Sequence, residues 1–238
     1  GDTLDVVSNA TALTSIENGT ITGIEAVIAD LLAGIDTLSY AGTTVALTVN
    51  LATGAASGFT SIAHIENVTG GTGADQLTGD DNANVLTGAA GTDNLTGGGG
   101  NDTLDGGADA DTLAGGDGAD SLSGGTGADR LIGGAGNDTM NGNAGNDTLV
   151  FAPGFGSDVV NGFDAAPAGG QDLLDVTGLG ITAGNFTARV SIASDGLGGT
   201  LVEIDDGGTV PALLGTITLS GVAPNAITQA DFTLLANL

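Results

Sequence analysis

Between residues 70 and 150 one large apolar residue recurs at every ninth position: Leu77, Leu86, Leu95, Leu104, Leu113, Leu122, Leu131, Met140 and Leu149. Small or polar residues flank each of them, as in "NDTLD" and "ADSLS". Such a period is too short for a helix and its connection, whereas one inward side chain between polar neighbours suits a strand of about three residues. The other positions must turn the chain. Cut from Gly70, the stretch is nine consecutive nonapeptides ending at Val150, with Gly at position one in all nine and Asp at position six in eight. Glycines at positions one, two and four permit positive φ and close backbone approach. Two nonapeptides make one coil, so copies n and n+2 stack strand over strand and the apolar residues fill a thin interior between two parallel sheets. The predicted fold class is all-β: a parallel β-roll, a right-handed β-solenoid, closed by a C-terminal β cap.

Stacking brings the position-six residues into two files. Asp75, Asp93, Asp111, Asp129 and Asp147 line one edge; Asn84, Asp102, Asp120 and Asp138 line the other, extended by Asp158 in a loose tenth copy, "PGFGSDVVN". Neighbouring layers lie about 4.8 Å apart. Two carboxylates at about 5 Å repel by roughly 3 kcal/mol at an effective dielectric near 20. A cation between layers removes that cost, and a hard ion that accepts six to eight oxygens in flexible geometry describes calcium better than magnesium. Backbone carbonyls at positions one and three would complete the shell: Gly97, Gly99, Gly106, Ala108, Gly115, Asp117, Gly124, Thr126, Gly133 and Ala135. Each edge offers four gaps, and the one beside Asn84 is suspect because Asp80 and Asn82 replace Gly in that copy. About seven calcium ions are expected.

This pattern resembles the repeats-in-toxin (RTX) family, whose haemolysin-type nonapeptide is a calcium-binding β-roll repeat. The resemblance implies a secreted protein whose repeats fold when calcium binds outside the cell, and whose C-terminal end is recognised by type I secretion machinery.

Before the repeats, residues 1–69 hold echoes of the same design. "SIENGT", "TGIEAV" and "SIAHIENVTG" each place Ile before Glu, at Ile16, Ile24 and Ile65, while "GIDTLSYAG" repeats the Gly-x-Asp-x-Leu core. "VALTVNLATG" alternates as a half-buried strand should. These residues read as degenerate coils of the same solenoid, or as a separate small β region. Residues 70–164 are the roll, and 165–238 are a β cap. After the repeats, "FAPGFGSDVVNGFD" and "GQDLLDVTGL" resemble the block that closes RTX repeat regions, and four of the six Phe residues fall between 151 and 186 as an aromatic plug. "FTARVSIAS", "GTLVEIDDGG" and "LLGTITLSGV" read as antiparallel strands. The final "ITQADFTLLANL" resembles the export segment of type I substrates.

Charge narrows the functions further. The chain has 29 acidic and two basic residues (Arg130 and Arg189), a formal charge of −27 at pH 7 and no Cys. Such a field repels nucleic acid and anionic lipid, and without thiols neither disulfides nor thiolate metal sites are available. The single His64 cannot form a two-histidine zinc-protease motif, and no Gly-x-Ser-x-Gly elbow occurs. No apolar run reaches the roughly 18 residues of a membrane-spanning helix, and no leader is visible. The chain reads as a non-catalytic, calcium-folded module at the C-terminal end of a longer secreted protein, extracellular or at the cell surface. Two alternatives stand beside it: a surface-layer or adhesin segment with calcium-dependent self-assembly or cell-surface contacts, and the accessory region of a secreted enzyme whose catalytic domain lies upstream.

Overall fold

The structure, a computed structural model, describes residues 3–5, 28–30, 34–165, 171–207 and 213–234. The echoes at Ile16 and Ile24 and the last four residues lie outside the described residues. Through the repeats, strands begin at position seven and run on through position three of the next copy, as in Asn94–Gly99, Thr103–Ala108 and Thr112–Asp117. From the second copy to the eighth they are six residues long rather than three, because the glycine half also pairs with neighbouring layers, while Gln76–Thr78 and Thr148–Val150, in the first and last copies, keep to three.

Pairing is parallel with an 18-residue offset: Leu95 faces Leu113, which faces Leu131, while Leu86 faces Leu104, which faces Leu122. Alternate copies therefore feed two different sheets, and the fold is a parallel β-roll. The nine position-eight side chains are at most 2% exposed and form one continuous core. Each coil contributes only two of them, so the interior is one side chain deep on either side and relies on stacking for its extent.

The ladders continue past both ends of the repeats. On one side Asn67–Thr69 pairs with Val85–Ala90, Thr37–Ser39 with Asn67–Thr69, and Thr3–Asp5 with Thr37–Ser39. On the other, Thr48–Asn50 lies under Gln76–Thr78. At the upper end Gly156–Asn161 pairs in parallel with Leu213–Leu219, which then pairs antiparallel with Thr200–Asp205, and that strand with Val190–Ser194. Leu173–Asp175 extends the second ladder above Thr148–Val150.

Phe151, Phe155, Phe163, Phe186 and Phe232 are buried at this upper end. Phe151 meets Phe155, and Phe186 meets Phe232, edge to face with ring centroids 5.3 and 4.9 Å apart. "FTAR", expected as strand, is a short helix, Phe186–Arg189. The Asn185 carbonyl accepts from the N–H groups of Ala188 and Arg189, and the Arg189 guanidinium donates to the carbonyls of Leu179, Gly180 and Asp205. That clasp holds the turn against the cap.

Candidate metal centre

Each strand starts one residue after a position-six Asp, so the turn delivers that carboxylate to the roll edge at the same height in every layer. All of them are buried: Asp75, Asp93, Asp102, Asp111, Asp120, Asp129, Asp138, Asp147 and Asp158 are at most 2% exposed. One oxygen of each has a fixed partner. Asp93 Oδ1 accepts the N–H of Asp75 at 2.7 Å, Asp111 Oδ1 that of Asp93 at 2.7 Å, Asp129 Oδ1 that of Asp111 at 2.8 Å, and Asp147 Oδ1 that of Asp129 at 2.9 Å. The other edge repeats this from Asn84 through Asp102, Asp120 and Asp138 to Asp158.

In all of them but Asp75 the second oxygen has none. Oδ2 of Asp93, Asp102, Asp111, Asp120, Asp129, Asp138, Asp147 and Asp158 is buried without a hydrogen-bond partner. Leaving a charged oxygen so placed costs more than the roughly 1–3 kcal/mol of a neutral unsatisfied group.

A second feature marks the same spots. An ideal Cβ built on Gly106 would collide with Asp111 Oδ2 and lie 2.7 Å from the Gly124 carbonyl oxygen of the next layer. The same collision, with the turn's own Asp and the carbonyl one layer up, recurs at Gly88, Gly97 and Gly115. Position one is thus glycine for space alone: none of these residues is at positive φ, which is confined to positions two and four. Of the two freedoms expected of glycine at positions one, two and four, position one uses the close approach and not positive φ. What the missing side chain leaves is a cradle shared by a carboxylate oxygen and a carbonyl oxygen from successive layers.

Burial raises every one of these carboxyl groups above the ordinary Asp value. Asp111 and Asp158 are pushed to about 7, and Asp93, Asp102 and Asp147 to about 6. Loss of solvation is the largest cause; the N–H bond from the layer below opposes it, and charged neighbours in the file add to it. The groups are those a bound cation would bring back to the charged form. Among the described residues no three His, Asp or Glu side chains converge on one point. An ion here would therefore take roughly one carboxylate per layer and fill its shell with carbonyls, a hard all-oxygen donor set that fits Ca²⁺. Of the position-three carbonyls, those of Ala108 and Ala135 already accept the N–H groups of Gly91 and Gly118.

Both files carry members the nonapeptide count did not reach. Asp172 Oδ1 accepts the N–H of Asp147 at 3.0 Å, so the cap supplies the next rung above the ninth copy. Its signal was present in Asp172-Leu173-Leu174, which repeats Asp-x-Leu after a spacing of 25 instead of 18 residues. Below Asn84, Glu66 Oε2 accepts the N–H of Asp36, the same relation with a longer side chain. Both ends of the Asn84 amide are engaged within the protein: Oδ1 accepts from Asp80 N–H and Nδ2 donates to the Glu66 carbonyl.

The family model "RTX calcium-binding nonapeptide repeat (4 copies)" matches residues 63–95, 78–113, 87–122 and 114–149. The chain carries RTX calcium-binding repeats. Solved structures with a similar fold include two solution structures of subunits of the Azotobacter vinelandii mannuronan C5-epimerase. The AlgE6R3 subunit is 28% identical, with 56% of this chain and 77% of that chain covered and a TM-score of 0.40. The AlgE6R2 subunit is 26% identical, with 72% and 94% covered and a TM-score of 0.27. The crystal structure of the extracellular lipase LipA from Serratia marcescens is 18% identical over 71% of this chain and 39% of the lipase, with a TM-score of 0.33. No curated protein matches the sequence. The family model's matches together span residues 63–149 of the 238-residue chain.

Proposed function

We propose that the chain is a calcium-dependent folding module at the C-terminal end of a secreted RTX protein, non-catalytic in itself and supporting type I export and stability outside the cell. The observation that carries this reading is the row of eight buried Asp Oδ2 atoms without partners, all but that of Asp158 beside a position-one glycine whose Cβ would strike them. Asp93, Asp102, Asp111, Asp120, Asp129, Asp138, Asp147 and Asp158 would hold the ions, with position-one carbonyls such as those of Gly106, Gly115 and Gly124 as neighbours in the layer above. Bound Ca²⁺ would supply positive charge between rungs that otherwise repel.

Folding and metal uptake are then one equilibrium. Calcium sites of the extracellular kind bind at about 10⁻⁴ to 10⁻³ M, so the roll stays open in a calcium-poor cytosol and closes outside. An open chain is what a narrow exporter can pass. The division into residues 1–69, a roll at 70–164 and a cap at 165–238 belongs to this proposal, with the cap as the end on which coils stack; Asp172, Leu173–Asp175 and Leu213–Leu219 provide its rungs.

The test is circular dichroism of the full chain in excess chelator and then in millimolar calcium. Loss of the β signal in chelator and its return with calcium is expected. An unchanged spectrum in chelator would refute the switch. Appending the full chain to an unrelated passenger in a cell bearing a type I exporter tests the export role, with passenger left in the cytosol as the contrary result.

A further inference from the structure

The nine nonapeptides carry the same motif but do not share one turn conformation. In copies three to nine position two is at positive φ: Ala89 (84°), Gly98, Gly107, Gly116, Gly125, Gly134 and Asn143 (68°). The loose tenth copy follows with Gly154 at 92°. Position four in these turns is at positive φ as well, including Asp109 at 76°. In copies one and two neither position is: Gly71, Gly73, Asp80 and Asn82 all lie outside that region.

The difference sorts with the state of the position-six side chain. In the first copy the N–H of Gly71 donates to Asp75 Oδ2 at 2.8 Å, and Asp75 Oδ1 accepts from Leu47, so both oxygens are satisfied. In the second copy the N–H of Asp80 donates to Asn84 Oδ1 at 2.8 Å. In the eight turns with positive φ at position two, the corresponding oxygen, from Asp93 to Asp158, has no partner. One peptide plane carries the position-one carbonyl and the position-two N–H on opposite sides. A change of sign in φ at position two marks that plane turned over, as it distinguishes related β-turn types. One orientation aims a donor hydrogen at the carboxylate and blocks a cation; the other withdraws it. Ala89 and Asn143 hold the second orientation without the freedom of glycine, so the layer, not residue preference, imposes it.

Resting on the calcium-ladder reading above, we propose that the ladder begins at the third nonapeptide. The turns of copies one and two are closed by their own backbone N–H groups, take no ion, and form a metal-independent floor on which the calcium-binding turns stack. Occupancy is set by the peptide orientation at position two and not by the carboxylate alone, although the sequence match to calcium-binding repeats includes both closed turns.

The test counts bound ions on the full chain by equilibrium dialysis and elemental analysis at saturating calcium, with circular dichroism to verify folding. Asn84→Asp supplies the missing carboxylate but leaves the turn closed, so the count should equal that of the unsubstituted chain; one additional ion would overturn the proposal. Asp80→Gly/Asn82→Gly/Asn84→Asp gives the second copy the motif of the first, whose Gly71, Gly73 and Asp75 still form a closed turn, so the count should again be unchanged and an added ion would overturn the proposal; Asp111→Asn, in an open turn, should lose one ion, and no loss would count against it. Asp75→Asn should leave the count unchanged, and loss of an ion would refute a closed first turn. An unsubstituted chain that takes up no calcium would instead sink the ladder itself, a separate failure visible before any variant is made.

Discussion

Asp111 Oδ1 accepts the backbone N–H of Asp93, eighteen residues earlier, at 2.7 Å, while its Oδ2 is buried without a partner. One side chain thus ties two layers together with one oxygen and presents the other to the gap. Asp111→Ala removes both roles. It strands the Asp93 N–H, at a cost of about 1–3 kcal/mol, and deletes a ligand. Asp111→Asn keeps an acceptor for that N–H. Thermal melts at saturating calcium should rank unsubstituted above Asn above Ala, and equal melting of Asn and Ala would show that the interlayer bond contributes nothing.

The raised carboxyl groups fix the direction of the pH response. In the metal-free folded roll, Asp111 and Asp158 titrate at about 7 and Asp93, Asp102 and Asp147 at about 6, against roughly 3.9 in an unfolded chain. The folded state therefore binds more protons than the unfolded state between these values. Stability without metal is greatest below about pH 4 and is lost as pH rises through 6 to 7. In chelator, lowering the pH from 8 to 5 should increase the β signal; a decrease would contradict the buried placement of these groups.

Calcium uptake runs the other way, because protons and the ion compete for the same oxygens. A site whose carboxylate titrates near 7 should lose about tenfold in affinity for each unit below that value, per proton displaced. Calorimetric titrations at pH 7.5 and 5.5 check this. Affinity independent of pH over that range would mean that the carboxylates are not ligands.

Two glycines in one strand should respond differently to alanine. At Gly97 a Cβ collides with Asp102 Oδ2 and lies 2.6 Å from the Gly115 carbonyl oxygen, whereas at Gly99 its nearest neighbour is the Asp81 Cα at 3.5 Å. Gly97→Ala should cost about 1–3 kcal/mol as an overpacked site and weaken calcium binding. Gly99→Ala should fall within about 0.5 kcal/mol of neutral. Chemical denaturation in calcium measures both, and equal effects would contradict the cradle.

The core is thin enough that one residue matters. Leu113 is fully buried, stacked between Leu95 and Leu131, and Leu113→Ala should destabilise the calcium-loaded roll by about 2–5 kcal/mol. A shift below 1 kcal/mol in a calcium-saturated melt would show that neighbouring layers collapse into the space.

The nine-residue period by itself determined the coil, the two sheets, the apolar file from Leu77 to Leu149 and the edge on which each Asp stands, since a strictly local repeat leaves few ways to bury one side chain per copy. Asp172 escaped because its rung is reached after a longer excursion, so no fixed spacing announces it. Only the tertiary structure decided why position one is glycine, and which turns are closed. Gly71 and Gly107 are the same residue at the same motif position, yet one donates to its aspartate and the other lies at a φ of 106°. The orientation of a peptide plane answers to the layers above and below it, and the letters of one nonapeptide do not contain those layers.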